Sequence, residues 1–110
     1  MCEFNQFYFS EEGYVAYCKN CKYFQLAFGS TLLTLTESDF NVLHNLTEQL
    51  IVARNDYVDE EIKQVIIPTP YPGMNMLLTI KELRQLDIML EEAENEMASQ
   101  ALLTLFNEIH

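Results

Sequence analysis

Short runs of aromatic and β-branched residues fill the first third of the chain, and a helical spacing of apolar residues replaces them further on. Residues 5–9 (Asn-Gln-Phe-Tyr-Phe) and 13–18 (Gly-Tyr-Val-Ala-Tyr-Cys) are two such runs, joined by Ser10-Glu11-Glu12-Gly13. Side chains that suit a pleated surface, on either side of a polar segment ending in glycine, predict a β-hairpin. A second pair, Tyr23–Phe28 and Thr31–Leu35, flanks Gly29-Ser30. Glycine reaches positive φ without steric cost, which the tight primed turns of hairpins require.

At Thr36 the period lengthens. Thr36-Glu37-Ser38-Asp39 places a hydroxyl at a helix N-cap and a carboxylate three residues on, although Asp is shorter than the usual Glu of a capping box. Phe40, Leu43, Leu46 or Thr47, Leu50 and Ile51 follow at helical spacing, which predicts an amphipathic helix over 37–54, ended by Asn55-Asp56. Beyond an acidic connector over 56–62, residues 63–67 read as a strand. Pro68, Pro70 and Pro72 then alternate ahead of Gly73. Proline has no N–H for a central ladder, so this segment is expected to be an edge, a turn or a functional loop. Residues 74–79 resume as a strand. Thr79-Ile80-Lys81-Glu82 is a full capping box, and Leu83, Leu86, Leu90, Ala93 and Met97 form one stripe behind it.

The two helix starts are related: Leu35-Thr36-x-x-Asp39-Phe40-x-x-Leu43 superposes on Leu78-Thr79-x-x-Glu82-Leu83-x-x-Leu86. The fold class expected is α+β, one domain over 1–110. A cysteine-bearing β-hairpin region over 1–35 and two strand–turn–strand–helix units supply one antiparallel sheet, with both helices packed on one face. Neither Gly nor Pro interrupts Ile80 to Glu108. A straight helix of that length runs ~40 Å, longer than a domain this size is wide. Either it bends near Glu94–Ser99, or its end projects and packs on another copy or a protein partner. Leu102, Leu103, Leu105, Phe106 and Ile109 are too apolar to be left in water, which makes a homodimer one expectation.

Composition narrows the function. Of 110 residues, 49% are apolar, ample for a single core, while 17 acidic against 6 basic side chains leave a formal charge of −11. That balance argues against a nucleic-acid partner, which needs clustered Lys and Arg on phosphates. No apolar run is long enough for a membrane span, and the opening residues lack the basic and apolar regions of a secretory signal, so a cytoplasmic location is expected. The acidity lies in the parts read as helical, because residues 1–35 carry only Glu3, Glu11 and Glu12 against Lys19 and Lys22.

The chemistry-bearing feature is Cys18-Lys19-Asn20-Cys21, a C-x2-C between two strands. A tight turn there points both sulfurs at one metal, and folding of the first hairpin would return Cys2 to the same place. Cys2, Cys18 and Cys21 are therefore the candidate ligands of a structural zinc. The fourth ligand is open among Glu3, His44, His110, water and the α-amino group of Cys2. An open fourth position would instead suit a metal-dependent enzyme. Thiol redox chemistry, with Cys18 attacking and Cys21 resolving, is disfavoured because no helix N-terminus lies under the first cysteine. A structural disulfide is not expected, since three cysteines leave one odd.

The N-terminal cysteine, Gly13-Tyr14-Val15 ahead of the C-x2-C, and Gln25-Leu26-Ala27-Phe28-Gly29 after it resemble a family of small uncharacterised proteins from Bacteroidetes-type bacteria. The likeness covers residues 2–43. It implies that the three cysteines act together in a small bacterial protein, and it carries no activity.

Other candidate chemistry is thinner. His44 lies beside the apolar stripe of the first helix and reads as a packed or surface histidine, and His110 as a chain end; neither supports a hydrolase triad. Glu91, Glu92, Glu94 and Glu96 read as a solvated helix face rather than a cation loop. No glycine-rich phosphate loop is present. Tyr8, Tyr14, Tyr17, Tyr23 and Phe24 near Lys19 and Lys22 could stack on bases, but the net charge favours a core role. The sequence thus points to a non-catalytic binding or regulatory module with a zinc clip.

Overall fold

The computed structural model describes residues 3–53 and 59–108. Strands β1 (Asn5–Ser10), β2 (Gly13–Cys18), β3 (Tyr23–Phe28) and β4 (Thr31–Thr36) precede helix α1 (Glu37–Ala53). Strands β5 (Val65–Pro68) and β6 (Asn75–Leu78) then lead into helix α2 (Ile80–Glu108). The first four strands form an antiparallel meander in the order β1-β2-β3-β4, and β5 pairs with β6 alone. Asn55-Asp56, expected to close the first helix, fall outside the described residues.

The local signals act as their chemistry predicts. Ser10 pairs with Gly13 and Phe28 with Thr31, so the first and third hairpins of the meander close through two-residue turns, while the middle one turns over residues 19–22. Gly29 takes φ 59°, as the first position of a primed turn requires. At the start of α1 the Asp39 N–H donates to Thr36 Oγ1 at 3.0 Å. The box at α2 closes in both directions: the Glu82 N–H donates to Thr79 Oγ1 at 3.0 Å, and the Thr79 N–H to Glu82 Oε1 at 2.9 Å. Burial of Glu82 raises its pKa, but hydrogen bonds from Lys63 and Thr79 outweigh that and hold the carboxyl below its ordinary value.

One cluster of buried apolar side chains joins the layers. Val15, Tyr17, Phe24, Leu26, Leu33 and Leu35 face Phe40 and Leu43 of α1 and Leu83, Leu86, Met89 and Leu90 of α2. Phe24 stacks on Phe40 with ring centroids 4.1 Å apart and planes 15° from parallel. A bulge between Gln6 and Tyr8 adds one residue to β1, and Phe7 and Tyr8 both pack against the core.

The sheet departs from expectation in one respect. Six strands form two sheets rather than one. A cavity of about 230 Å³ lies between the Phe28–Thr31 turn and Asn75–Leu78 of the second sheet. Pro68 ends β5, and Pro70 and Pro72 leave the connecting loop few amides with which to extend a ladder. It meets the β4 edge with a side chain instead: the Tyr71 phenol donates to the Thr34 carbonyl at 2.5 Å. α2 is continuous over 29 residues, and the molecule measures 55 × 27 × 24 Å.

Gly13 tests the meander. A Cβ there would lie 1.8 Å from the Ala27 carbonyl oxygen, whereas one on Gly29 meets nothing within 4 Å. Gly13→Ala should therefore destabilise the fold by about 2 kcal/mol or more, measured by urea denaturation. Gly29→Ala should cost about 1 kcal/mol, for its left-handed backbone alone.

Candidate functional site

The C-x2-C folds as a compact turn at the end of β2. The Lys22 N–H donates to the Cys18 carbonyl at 2.7 Å, and Lys22 takes φ 60°. The chain curls so that the Cys21 N–H donates to Cys18 Sγ at 3.4 Å. Alternation along β2 turns Cys18 to the face opposite Tyr17. Cys18 is a free thiol, fully buried. Cys21 is disulfide-bonded, contrary to the argument from an odd number of cysteines; the odd thiol is the enclosed Cys18. Cys2 lies outside the described residues, as does His110. His44, a candidate fourth ligand, sits elsewhere in the fold, between the two helices.

Beside the turn, a groove of about 450 Å³ separates Lys19 and Lys22 from Met97, Ala101 and Thr104 of α2. Phe7 and Tyr17 line it, with Tyr17 only 6% exposed. The Tyr17 hydroxyl donates to Glu37 Oε1 in the first turn of α1. Burial, this hydrogen bond and the Glu37 charge push the Tyr17 phenol up to about 12.

The cluster that sequence reasoning missed lies in the α1–α2 seam. His44, 5% exposed, stands on the inner stripe of α1 with Phe40, Leu43 and Thr47. Its Nε2 is 2.9 Å from Glu48 Oε1 on its own helix, and 3.3 Å from Glu91 Oε2 and 3.8 Å from Asp87 Oδ1 on α2. Its Nδ1 is hydrogen-bonded to Glu94 Oε2. Thr47 Oγ1, fully buried, lies 3.0 Å from Asp87 Oδ1 and 2.8 Å from the His44 carbonyl. Four carboxylates thus converge on one imidazole. A sequence signal existed: Asp87, Glu91 and Glu94 repeat at i, i+4 and i+7 beside the Leu83–Leu86–Leu90 stripe, and His44 occupies a stripe position of α1.

A family model described as "Family of unknown function (DUF6686)" matches residues 1–109. The chain belongs to that family. No curated protein and no solved structure matches it. Membership of DUF6686 bears out the likeness to an uncharacterised family and extends it over nearly the whole chain. No described helix is long and apolar enough to cross a membrane.

The Tyr17 phenol makes a pH prediction. Its folded-state pKa lies above the ordinary 10.0, so the folded chain holds that proton more tightly than the unfolded chain. The resulting stabilisation is complete below pH 10 and is lost as pH rises toward about 12. Urea midpoints measured across this window should fall more steeply for the native sequence than for Tyr17→Phe.

Proposed function

We propose that this protein is a non-catalytic association module that pairs with a second copy of itself through the end of α2. The observation that carries this reading is the exposed apolar surface of the last two turns of that helix. Ala101–Glu108 is exposed throughout, with Leu102 at 66%, Leu103 at 60%, Leu105 at 57% and Phe106 at 60%. Charge selects the occupant. The chain carries −11 overall, so two copies repel wherever charged faces approach, yet Met97–Asn107 contains no charged side chain. Two copies meeting along this stretch bury leucine surface without bringing carboxylates together.

Sedimentation velocity tests it. The native chain should sediment as a dimer, and Leu102→Glu with Leu105→Glu as a monomer whose far-UV circular dichroism is unchanged. Each substitution alone should weaken association about tenfold or more, as expected for an apolar anchor at an interface. A native monomer at high micromolar concentration refutes the reading.

A zinc clip at Cys2, Cys18 and Cys21 is a second reading, favoured by the turn that aims the Cys21 N–H at Cys18 Sγ. It applies to the reduced chain, because zinc takes thiolates and Cys21 is disulfide-bonded. Full burial of Cys18 favours a structural role over catalysis or redox exchange, since substrate has no path to its sulfur. By elemental analysis the reduced protein should take up one zinc per chain more than the oxidised protein, gain thermal stability from it, and lose both differences in Cys18→Ser.

A further inference from the structure

We propose that His44, Glu48 and Glu91 bind one divalent first-row transition-metal cation in the seam between α1 and α2. Neither the association reading nor the cysteine turn enters the argument, which rests on the imidazole. His44 Nε2 is fully enclosed and has no hydrogen-bond partner, although Glu48 Oε1 and Glu91 Oε2 stand 2.9 and 3.3 Å away. Their approach is close, but not along a hydrogen-bond direction. The other ring nitrogen is hydrogen-bonded to Glu94, a carboxylate that can only accept, so a neutral ring carries its proton on Nδ1 and offers its lone pair from Nε2. A lone pair facing carboxylate oxygens is repulsive until something positive sits between them.

The separations fit a metal ion. Donors at ~2.1 Å from one ion stand ~3.0 to 3.4 Å apart in octahedral or tetrahedral geometry; the 3.3 Å separation from Nε2 falls in that range and the 2.9 Å one lies at its lower edge. All three donor atoms lie within 4.8 Å of one another. Glu94 on Nδ1 is the orienting carboxylate that metal-bound histidines require. Asp87 Oδ1, 3.8 Å from Nε2 and within hydrogen-bond distance of Thr47 Oγ1, stands in reach as a further oxygen. Glu48 and Glu91 side chains are 51% and 55% exposed, so the ion has an entry path from solvent while the imidazole stays shielded. The imidazole favours a first-row transition-metal cation over Mg²⁺, the carboxylates accept even the hardest of that row, Mn²⁺, and no thiolate is needed.

Mn²⁺ is the probe, because it separates this site from the cysteines. The full chain, stripped with chelator, is titrated with Mn²⁺ and the free ion is followed by electron paramagnetic resonance. One ion per chain is expected, with loss of the His44 ring signals in the proton NMR spectrum at substoichiometric Mn²⁺. Glu48→Gln and Glu91→Gln should each weaken binding about tenfold or more, and Cys18→Ser should leave it unchanged. Both glutamines replace exposed side chains of nearly the same shape, and circular dichroism confirms their fold. No saturable uptake at millimolar Mn²⁺, uptake that survives the double substitution, or equal affinity for Mg²⁺ overturns the proposal.

Discussion

Two helices share one face of a four-stranded meander, and their apolar stripes must fit both the sheet and each other. Phe24 and Phe40 meet face to face where β3 runs under the first turn of α1. That contact places the start of α1, and Leu83, Leu86 and Leu90 then bring α2 alongside in the same core. Aromatic stacking adds only about 1 kcal/mol beyond the area it buries. Its structural weight lies in position: once Phe40 is seated, helical periodicity carries Leu43, His44 and Thr47 into the seam.

Much of the secondary structure was legible because its signals are local. Glycine at a turn, a hydroxyl three residues before a carboxylate, and a stripe of leucines each act within one turn of chain, and each element lies close to its expected bounds. The repeated strand–turn–strand–helix unit also appears, as β3-β4-α1 and β5-β6-α2. What could not be read was how the second hairpin meets the first sheet. Edge pairing depends on which amides are free at a distance, and the prolines that disqualify the loop do not say what replaces the ladder. A tyrosine hydroxyl on the Thr34 carbonyl is a tertiary fact.

The candidate sites divide in the same way. A C-x2-C announces itself because both sulfurs come from one turn, and the turn is there. The His44 cluster is built across 40 to 50 residues, from Thr47 with Asp87 and His44 with Glu94, and no single window contains it. Read alone, Glu91 and Glu94 look like ordinary solvated carboxylates, and both are half exposed. Their distinction is which face of α2 they share, and that face has meaning only once α1 lies against it. A histidine on an apolar stripe was the available clue; its polar edges must be satisfied by something, and the neighbouring helix supplies only acids.

The seam and the exposed helix end share one element. α2 has no break between Ile80 and Glu108, so Glu94 and Leu102 ride the same rod, roughly 12 Å apart along its axis. The cluster is where charged rather than apolar side chains meet between the helices, since His44 faces Glu48, Asp87, Glu91 and Glu94. An excess of negative charge in a narrow seam pushes the helices apart, and positive charge placed there draws them together. The apolar end of α2 therefore follows directly on the acidic seam, in the same helix and with no connecting loop between Glu94 and Leu102.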